Sequence, residues 1–338
     1  MNRRTFIAQA GAATAISAWH HLPAAEPRPL RLGLISAATY GYHAPRTIGS
    51  HHGTAFATTF NGWDEAKVRG WKGTFVKSGR RLEGARIVQV WDPDQAAAQQ
   101  LADICRIARV TDSPEQCAEG VDAVLIVDDG SGAQWKYATH PLRNHVPVFC
   151  DKPLAMTARE AQAVARLVRE TKTPFMSASS LRFVPDIKKL RSELAAIGPV
   201  QLATAACGNE LVYYGVHALS MIFAVLGRGA LSAINVGRPG RNLVRLRFNG
   251  DRDVVLLVAE KETMRAGYQI CLYGQKGWRS VTPDLTNLYS YLLEAFLEML
   301  ATGRESVPVE EEVEVIAALE AGQRSLELGR EVTLAEVM

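Results

Sequence analysis

Residues 121–179, VDAVLIVDDGSGAQWKYATHPLRNHVPVFCDKPLAMTAREAQAVARLVRETKTPFMSAS, decide the fold. Asp122–Val127 is a short apolar run bounded by turn residues, which predicts a buried strand. The loop Asp128-Asp129-Gly130-Ser131-Gly132 leaves it. Val146–Cys150 predicts the next strand, stopped sharply by Asp151-Lys152-Pro153. Thr157 and Glu160 have the spacing of a capping box, which opens a helix running to about Thr171. Phe175–Ser177 then restarts a strand. Strands separated by helices in this way mean βαβ units and a parallel sheet. Ligands of such sheets sit at the carboxyl ends of the strands, so the residues after Val127 and Cys150 are candidate site positions.

Outward from this core the pattern holds, then changes. Leu30–Ile35 and Ile87–Trp91 predict two more buried strands, and Gln95–Ala108 a helix. Beyond residue 178, strands near Pro199–Cys207, Leu243–Phe248, Val254–Ala259 and Tyr268–Tyr273 follow one another through turns such as Asn249-Gly250-Asp251. That spacing predicts an antiparallel meander, with helices at Val216–Leu226, Leu288–Ala301 and Glu311–Leu328. The fold class is therefore α/β: a doubly wound parallel sheet over 26–177, then an α+β domain with a large open mixed or antiparallel sheet over 178–338.

Of 338 residues, 47% are hydrophobic and 22% charged, a globular balance that excludes a disordered chain. Lys and Arg number 38 against 35 Asp and Glu, with no basic cluster interleaved with aromatics, so nucleic acid is not a partner. The five cysteines lack any C-x-x-C pair and read as small core residues, not as a disulfide frame or a metal site. Residues 1–25 read as an address: Arg3-Arg4-Thr5-Phe6-Ile7, an uncharged stretch from Ala8 to Ala18, and small residues at Ala24-Ala25. This order predicts a twin-arginine leader, against the competing reading of a cytosolic N-terminal helix with two chance arginines, and implies a periplasmic or other extracytoplasmic protein with no membrane association once the leader is removed.

The turn after the first strand should hold a dinucleotide. Ser36-Ala37-Ala38-Thr39-Tyr40-Gly41 can be laid on G-x-G-x-x-G, where Ser36 and Ala38 replace glycines and Gly41 survives. A second register uses Gly49-Ser50-His51-His52, and a plain tight turn is the competing reading. Asp92 ends the second strand, where a carboxylate holds the adenosine ribose and repels a 2′-phosphate, favouring NAD over NADP. A simple Asp-Pro turn competes there too. The segment between Ala44 and Gly84 is long and aperiodic, with Gly53–Phe60 as a candidate crossover helix. His43, His51 and His52 have no metal spacing and read as loop residues near a cofactor or substrate.

CDKPL (Cys150–Leu154), with VDAVLIVDDGSG, FMSASSLRFVPDI, YYGVHALSMIFAVLG and the C-terminal GRESVPVEEEVEVIAALEAGQRSLELGREVTL, resembles the Gfo/Idh/MocA (glucose–fructose oxidoreductase / inositol dehydrogenase) family. The nearest likeness is to a secreted branch with DKP in place of EKP. The resemblance implies a Rossmann domain, a nicotinamide cofactor, carbohydrate or polyol substrates and a homo-oligomer built through the open sheet. It places Lys152 near the nicotinamide and the substrate hydroxyl, and His217 as a catalytic imidazole. The family's Asp four residues before that His is Tyr213 here. Arg182 is a candidate substrate contact or else a plain surface ion pair, Tyr214 a candidate substrate contact, and Asp128 a candidate cofactor contact or else part of a solvated acidic loop.

Placed in the first turn of a Val216–Leu226 helix, His217 would be kept neutral by unpaired amides and act as a general base. A Tyr213 phenol beside an ammonium would ionise more easily. The expected function is an exported NAD(P)-dependent oxidoreductase transferring hydride at a carbinol carbon. The alternatives are a redox-neutral lyase or glycosidase using tightly bound NAD, or an inactive family member that only binds.

Overall fold

The first sheet is built on β1 (Leu30–Ile35), whose last four residues are buried on both faces. The structure, a computed structural model, describes residues 28–41, 46–130, 132–263 and 265–338. The expected leader over 1–25 and His43 lie outside the described residues.

After β1 come a short hairpin, β2 (Thr39–Tyr40) and β3 (Thr47–Ile48), and the helices α1 (His51–Asn61) and α2 (Glu65–Val68). Then follow β4 (Ala85–Trp91), α3 (Gln95–Cys105), β5 (Arg109–Val110), α4 (Pro114–Cys117), β6 (Ala123–Ile126), α5 (Trp135–Arg143), β7 (Val148–Cys150), α6 (Ala158–Thr171) and β8 (Phe175–Met176). Among the described residues the sheet order is β5-β4-β1-β6-β7-β8, with every pairing parallel. β6 and β7 are buried throughout, as continuous apolar runs must be when helices cover both faces. The chain leaves β1 toward β4 on one side and returns to β6 on the other. A crevice therefore opens at the carboxyl ends of β1 and β6.

The second half comprises α7 (Pro185–Ser192), α8 (Leu194–Ile197), β9 (Val200–Gly208), α9 (Leu211–Leu226), β10 (Ala230–Asn235), β11 (Arg241–Phe248), β12 (Arg252–Ala259), β13 (Gln269–Gly274) and β14 (Gly277–Val281). It ends with α10 (Leu288–Thr302), α11 (Val309–Leu328) and β15 (Val332–Thr333). The sheet order among the described residues is β14-β13-β9-β12-β11-β10-β15. Here a purely antiparallel meander is wrong: β9 lies between β13 and β12 and pairs parallel with β12. The cause is α9, apolar nearly all round, which must be covered on both sides. It packs between the sheet and α11, and the strands after it return to the far side of β9. On the sheet's other face Leu243, Leu257, Tyr273 and Trp278 are exposed.

The chain does not stay on its own side of residue 178. Leu292, Leu293, Phe296 and Met299 of α10 join the core of the first sheet. Phe149 links them, its ring 5.5 Å from Phe56 of α1 and 5.7 Å from Phe296. No helix of the described residues is long and apolar enough to cross a membrane.

The position of α1 depends on a residue that neither fingerprint register contained. A Cβ on Gly53 would lie 1.8 Å from the Ala37 carbonyl oxygen, so only glycine lets the helix approach the end of β1 this closely. Counting G-x-G-x-x-G back from Gly53 puts Ile48 and Ser50 at the other two glycine positions. Ser50 instead caps α1, its hydroxyl accepting the Gly53 N–H at 2.9 Å. Because the clash is with backbone, Gly53→Ala should destabilise the protein by about 3 kcal/mol in denaturant unfolding.

Candidate active site

Lys152 stands in the turn that stops β7. Gln134 ties this turn down, its amide donating to the carbonyls of Asp151 (3.1 Å) and Pro153 (2.6 Å). Lys152 is buried, its Nζ 4.4 Å from the Tyr213 ring centre and 5.3 Å from that of Tyr214. The ring faces are electron-rich and attract the ammonium. Both tyrosines and His217 come from α9, so that helix forms the second wall of a cavity of about 490 Å³. His52 and Asp129 line it from the Rossmann side. Lys152, His217, Tyr213 and Tyr214, expected from sequence as site residues, are therefore brought together.

Two of their chemical properties differ from expectation. α9 begins at Leu211, so His217 is in its second turn and the amides of the first turn do not act on it. The imidazole is nonetheless held well below its ordinary pKa, first by burial and then by the charges of Lys152 and His52. Its Nδ1 is 2.8 Å from the Ser179 hydroxyl oxygen, which already accepts the Leu181 N–H at 3.3 Å. With no other acceptor for its own hydrogen among the described residues, Ser179 donates to Nδ1, leaving a hydrogen on Nε2. Tyr213 is not made easier to ionise. Burial raises its pKa, the Asp129 and Asp151 carboxylates raise it further, and its hydroxyl accepts the Gly130 N–H.

Arg182 is not in the cavity. It forms a buried ion pair with Glu311 (2.5 Å) beside Glu312, whose carboxyl burial pushes up to about 8. A guanidinium with a carboxylate this close is committed to α11, so the expected substrate contact is corrected to a strut that ties the segment after β8 to α11.

The turn after β1 is also internally satisfied. The Ser36 N–H donates to the Trp91 carbonyl (2.7 Å), and Gly41 N–H to that of Asp129 (3.0 Å). Asp92 is fully buried: Oδ2 accepts the N–H groups of Ala38 (3.0 Å) and Thr39 (3.1 Å), and Oδ1 accepts the Thr39 hydroxyl (2.7 Å). The free ribose acceptor expected at Asp92 is therefore an organiser of the turn. Asp128 pairs with Arg46 (3.0 Å), which also donates to Ser36 (2.9 Å). Ser36, Ala38 and Gly41 thus offer no amide to a phosphate here.

The anion seat lies instead at the start of α1. Asp129 Oδ2 accepts the N–H groups of His51 (2.8 Å) and His52 (3.3 Å) at the start of α1. Although burial alone would raise its pKa, the charges of His52 and Lys152 and these amides lower it. Sequence reasoning missed Gly53, Arg46, Ser179 and the His52–Asp151 pair. Only the DKP turn carried a signal, since its Asp precedes Lys152 directly. Among the described residues no group of three His, Cys, Asp or Glu could hold a metal ion.

Residues 47–179 match the family model described as "Oxidoreductase family, NAD-binding Rossmann fold", GFO_IDH_MocA. Over these residues the chain is similar to the Rossmann part of that family. Among curated relatives, the chain is 29% identical over 178 residues to trans-1,2-dihydrobenzene-1,2-diol dehydrogenase of Xenopus tropicalis, covering 49% of this chain and 50% of that one. It is 31% identical over 127 residues to inositol 2-dehydrogenase of Rhizobium meliloti, covering 36% and 37%. The match thus spans half or less of those relatives' length. Among solved structures, apo scyllo-inositol dehydrogenase from Lactobacillus casei superposes with TM-score 0.72 at 13% identity, over 91% of this chain and 99% of that one. GenD2 from gentamicin A biosynthesis, in complex with NAD, superposes with TM-score 0.70 at 15% identity, over 90% and 96%.

The residues fit the NAD for which this domain type is named. The amides of His51 and His52 already hold an anion, the Asp129 carboxylate, which stands where a helix N-terminus receives phosphate. Gly53 supplies the close backbone approach of such a seat. Bound NAD would take those amides in exchange for Asp129 and would supply a hydride acceptor. Removing the competing charge in Asp129→Asn should tighten NAD binding roughly 10–100-fold, the worth of a charge-assisted hydrogen bond, in a fluorescence titration.

Proposed function

We propose that this chain is an NAD-dependent oxidoreductase that interconverts a carbinol and a carbonyl on a sugar or polyol. The observation that carries the reading is the convergence of Lys152 and His217 on one cavity at the carboxyl edge of a Rossmann sheet. The family match over 47–179 and the dehydrogenase relatives support it. The Lys152 ammonium and the His217 Nε2–H both donate to one substrate oxygen. Charge grows on that oxygen as the carbon exchanges hydride, and donors fixed in advance stabilise it without reorganising. The tyrosines exclude water around Lys152 and strengthen its field.

Lys152→Met and His217→Ala should each lower kcat roughly 10²–10³-fold, as loss of one preorganised donor does, with NAD affinity retained. Because both act on one oxygen, the double variant should lose much less than the product of the two single losses. Near-normal turnover by either single variant would refute the shared-oxygen site.

The proposal includes export by the twin-arginine route, supported by residues 2–25 of the sequence. Arg3→Lys with Arg4→Lys should hold the precursor in the cytoplasm, as read by fractionation and immunoblot. It also includes a homo-oligomer, supported by the exposed Leu243, Leu257, Tyr273 and Trp278 on one sheet face.

A further inference from the structure

The reaction proposed above leaves one requirement open. Interconverting a carbonyl and an alcohol moves a proton as well as a hydride, and His217 is not suited to carry it. His217 presents a hydrogen from a buried imidazole whose protonated form is disfavoured. It can donate a hydrogen bond but cannot readily take up or cycle a proton.

A second imidazole lines the same cavity. His52 Nδ1 lies 2.5 Å from Asp151 Oδ2, with both side chains largely buried. Asp151 is itself fixed, its N–H donating to the Ile126 carbonyl at 2.9 Å and its carbonyl accepting from Gln134. The His52 ring is clamped between Tyr289, 4.9 Å away, and Phe56, stacked at 6.3 Å. With Nδ1 committed to the carboxylate, Nε2 is the nitrogen left for the cavity, and it has no hydrogen-bond partner among the described residues. A buried carboxylate fixing the orientation and tautomer of an imidazole whose other nitrogen meets the substrate is how proton-transferring histidines are built.

We propose that His52, oriented by Asp151, is the proton-transferring group of this site. In the reducing direction the carbonyl carbon receives hydride from the reduced nicotinamide, while the oxygen, held by Lys152 and His217, takes the proton from His52 Nε2. The product is the neutral alcohol, and His52 is left neutral until water in the open cavity reprotonates it. Oxidation runs the same transfer backwards. Asp151 is a positioning residue. This role rests on the oxidoreductase reading and adds to it where the proton goes.

The charges around His52 agree. Burial opposes its protonated form, but Asp151 and Asp129 outweigh burial and the opposing Lys152 charge, so its pKa is raised. Tyr289, which packs on it from α10, stays a neutral phenol because burial holds its pKa well up, and His217 across the cavity is neutral. A group with a raised pKa is protonated at low pH. Reduction should therefore run at full rate there and fall as pH rises through the His52 pKa.

The test measures kcat/KM against pH with NADH and 2-keto-myo-inositol, together with an NMR titration of the His52 ring in the full chain. Wild type should show a falling alkaline limb matching a His52 titration above the ordinary imidazole value. Asp151→Asn should move both to lower pH. His52→Gln should abolish the limb and cut kcat roughly 10²–10⁴-fold, the worth of one proton-transferring group. A purely structural His52 would lower stability in His52→Gln and leave the limb in place, which overturns the proposal. So does a His52 ring titrating at or below the ordinary imidazole value, whether or not the ketone is turned over. Failure of the oxidoreductase reading looks different: Lys152→Met and His217→Ala would then be without effect.

Discussion

α1 can lie against the end of β1 only because residue 53 has no side chain. Everything at the crevice follows from that approach. It sets the first turn of α1 over the loop after β6, where Asp129 reaches the amides of His51 and His52. It also swings the His52 ring over Asp151 and into the cavity. A Cβ at this position would press on backbone, which cannot rotate away as a side chain would, so the helix would have to move and carry these groups with it.

The cavity then holds two imidazoles in opposite states. His52 sits among carboxylates and is pushed toward its charged form, whereas His217 is buried against Ser179, Tyr214 and Tyr268 and is pushed toward its neutral form. Environments that separate two similar groups in this way suit them to different tasks. Asp129 connects the two halves of the site: it fills the anion seat on α1, accepts from Tyr213 on α9 at 3.5 Å, and lies among the charges that bias His52. The site is thereby held together before any ligand arrives.

The parallel sheet was legible in sequence because buried strands leave runs such as Ala123–Ile126 that no other element explains, and because α6 carries its own start signal at Thr157. Lys152 was legible for the same reason, since a turn directly after a buried strand must open at the ligand edge. Asp92 and Arg182 were misplaced because a position at an edge or an entrance does not say which way a side chain turns. Asp92 turns inward to backbone N–H groups left without partners by the tight β1 turn, and Arg182 to a glutamate contributed from α11.

What the amino-acid order determined by itself is local: strand and helix periods, the capping box, the turn after β7, and the all-apolar character of α9 that required burial. What tertiary structure alone decided is every relation between segments distant in the chain. These include the parallel pairing of β9 with β12, the return of α10 to the core of the first sheet, the meeting of His52 with Asp151 and the burial that keeps His217 neutral. The reason is physical. Hydrophobic period and capping act over one or two turns of chain, whereas desolvation, charge pairing and close backbone approach depend on which surfaces end up in contact.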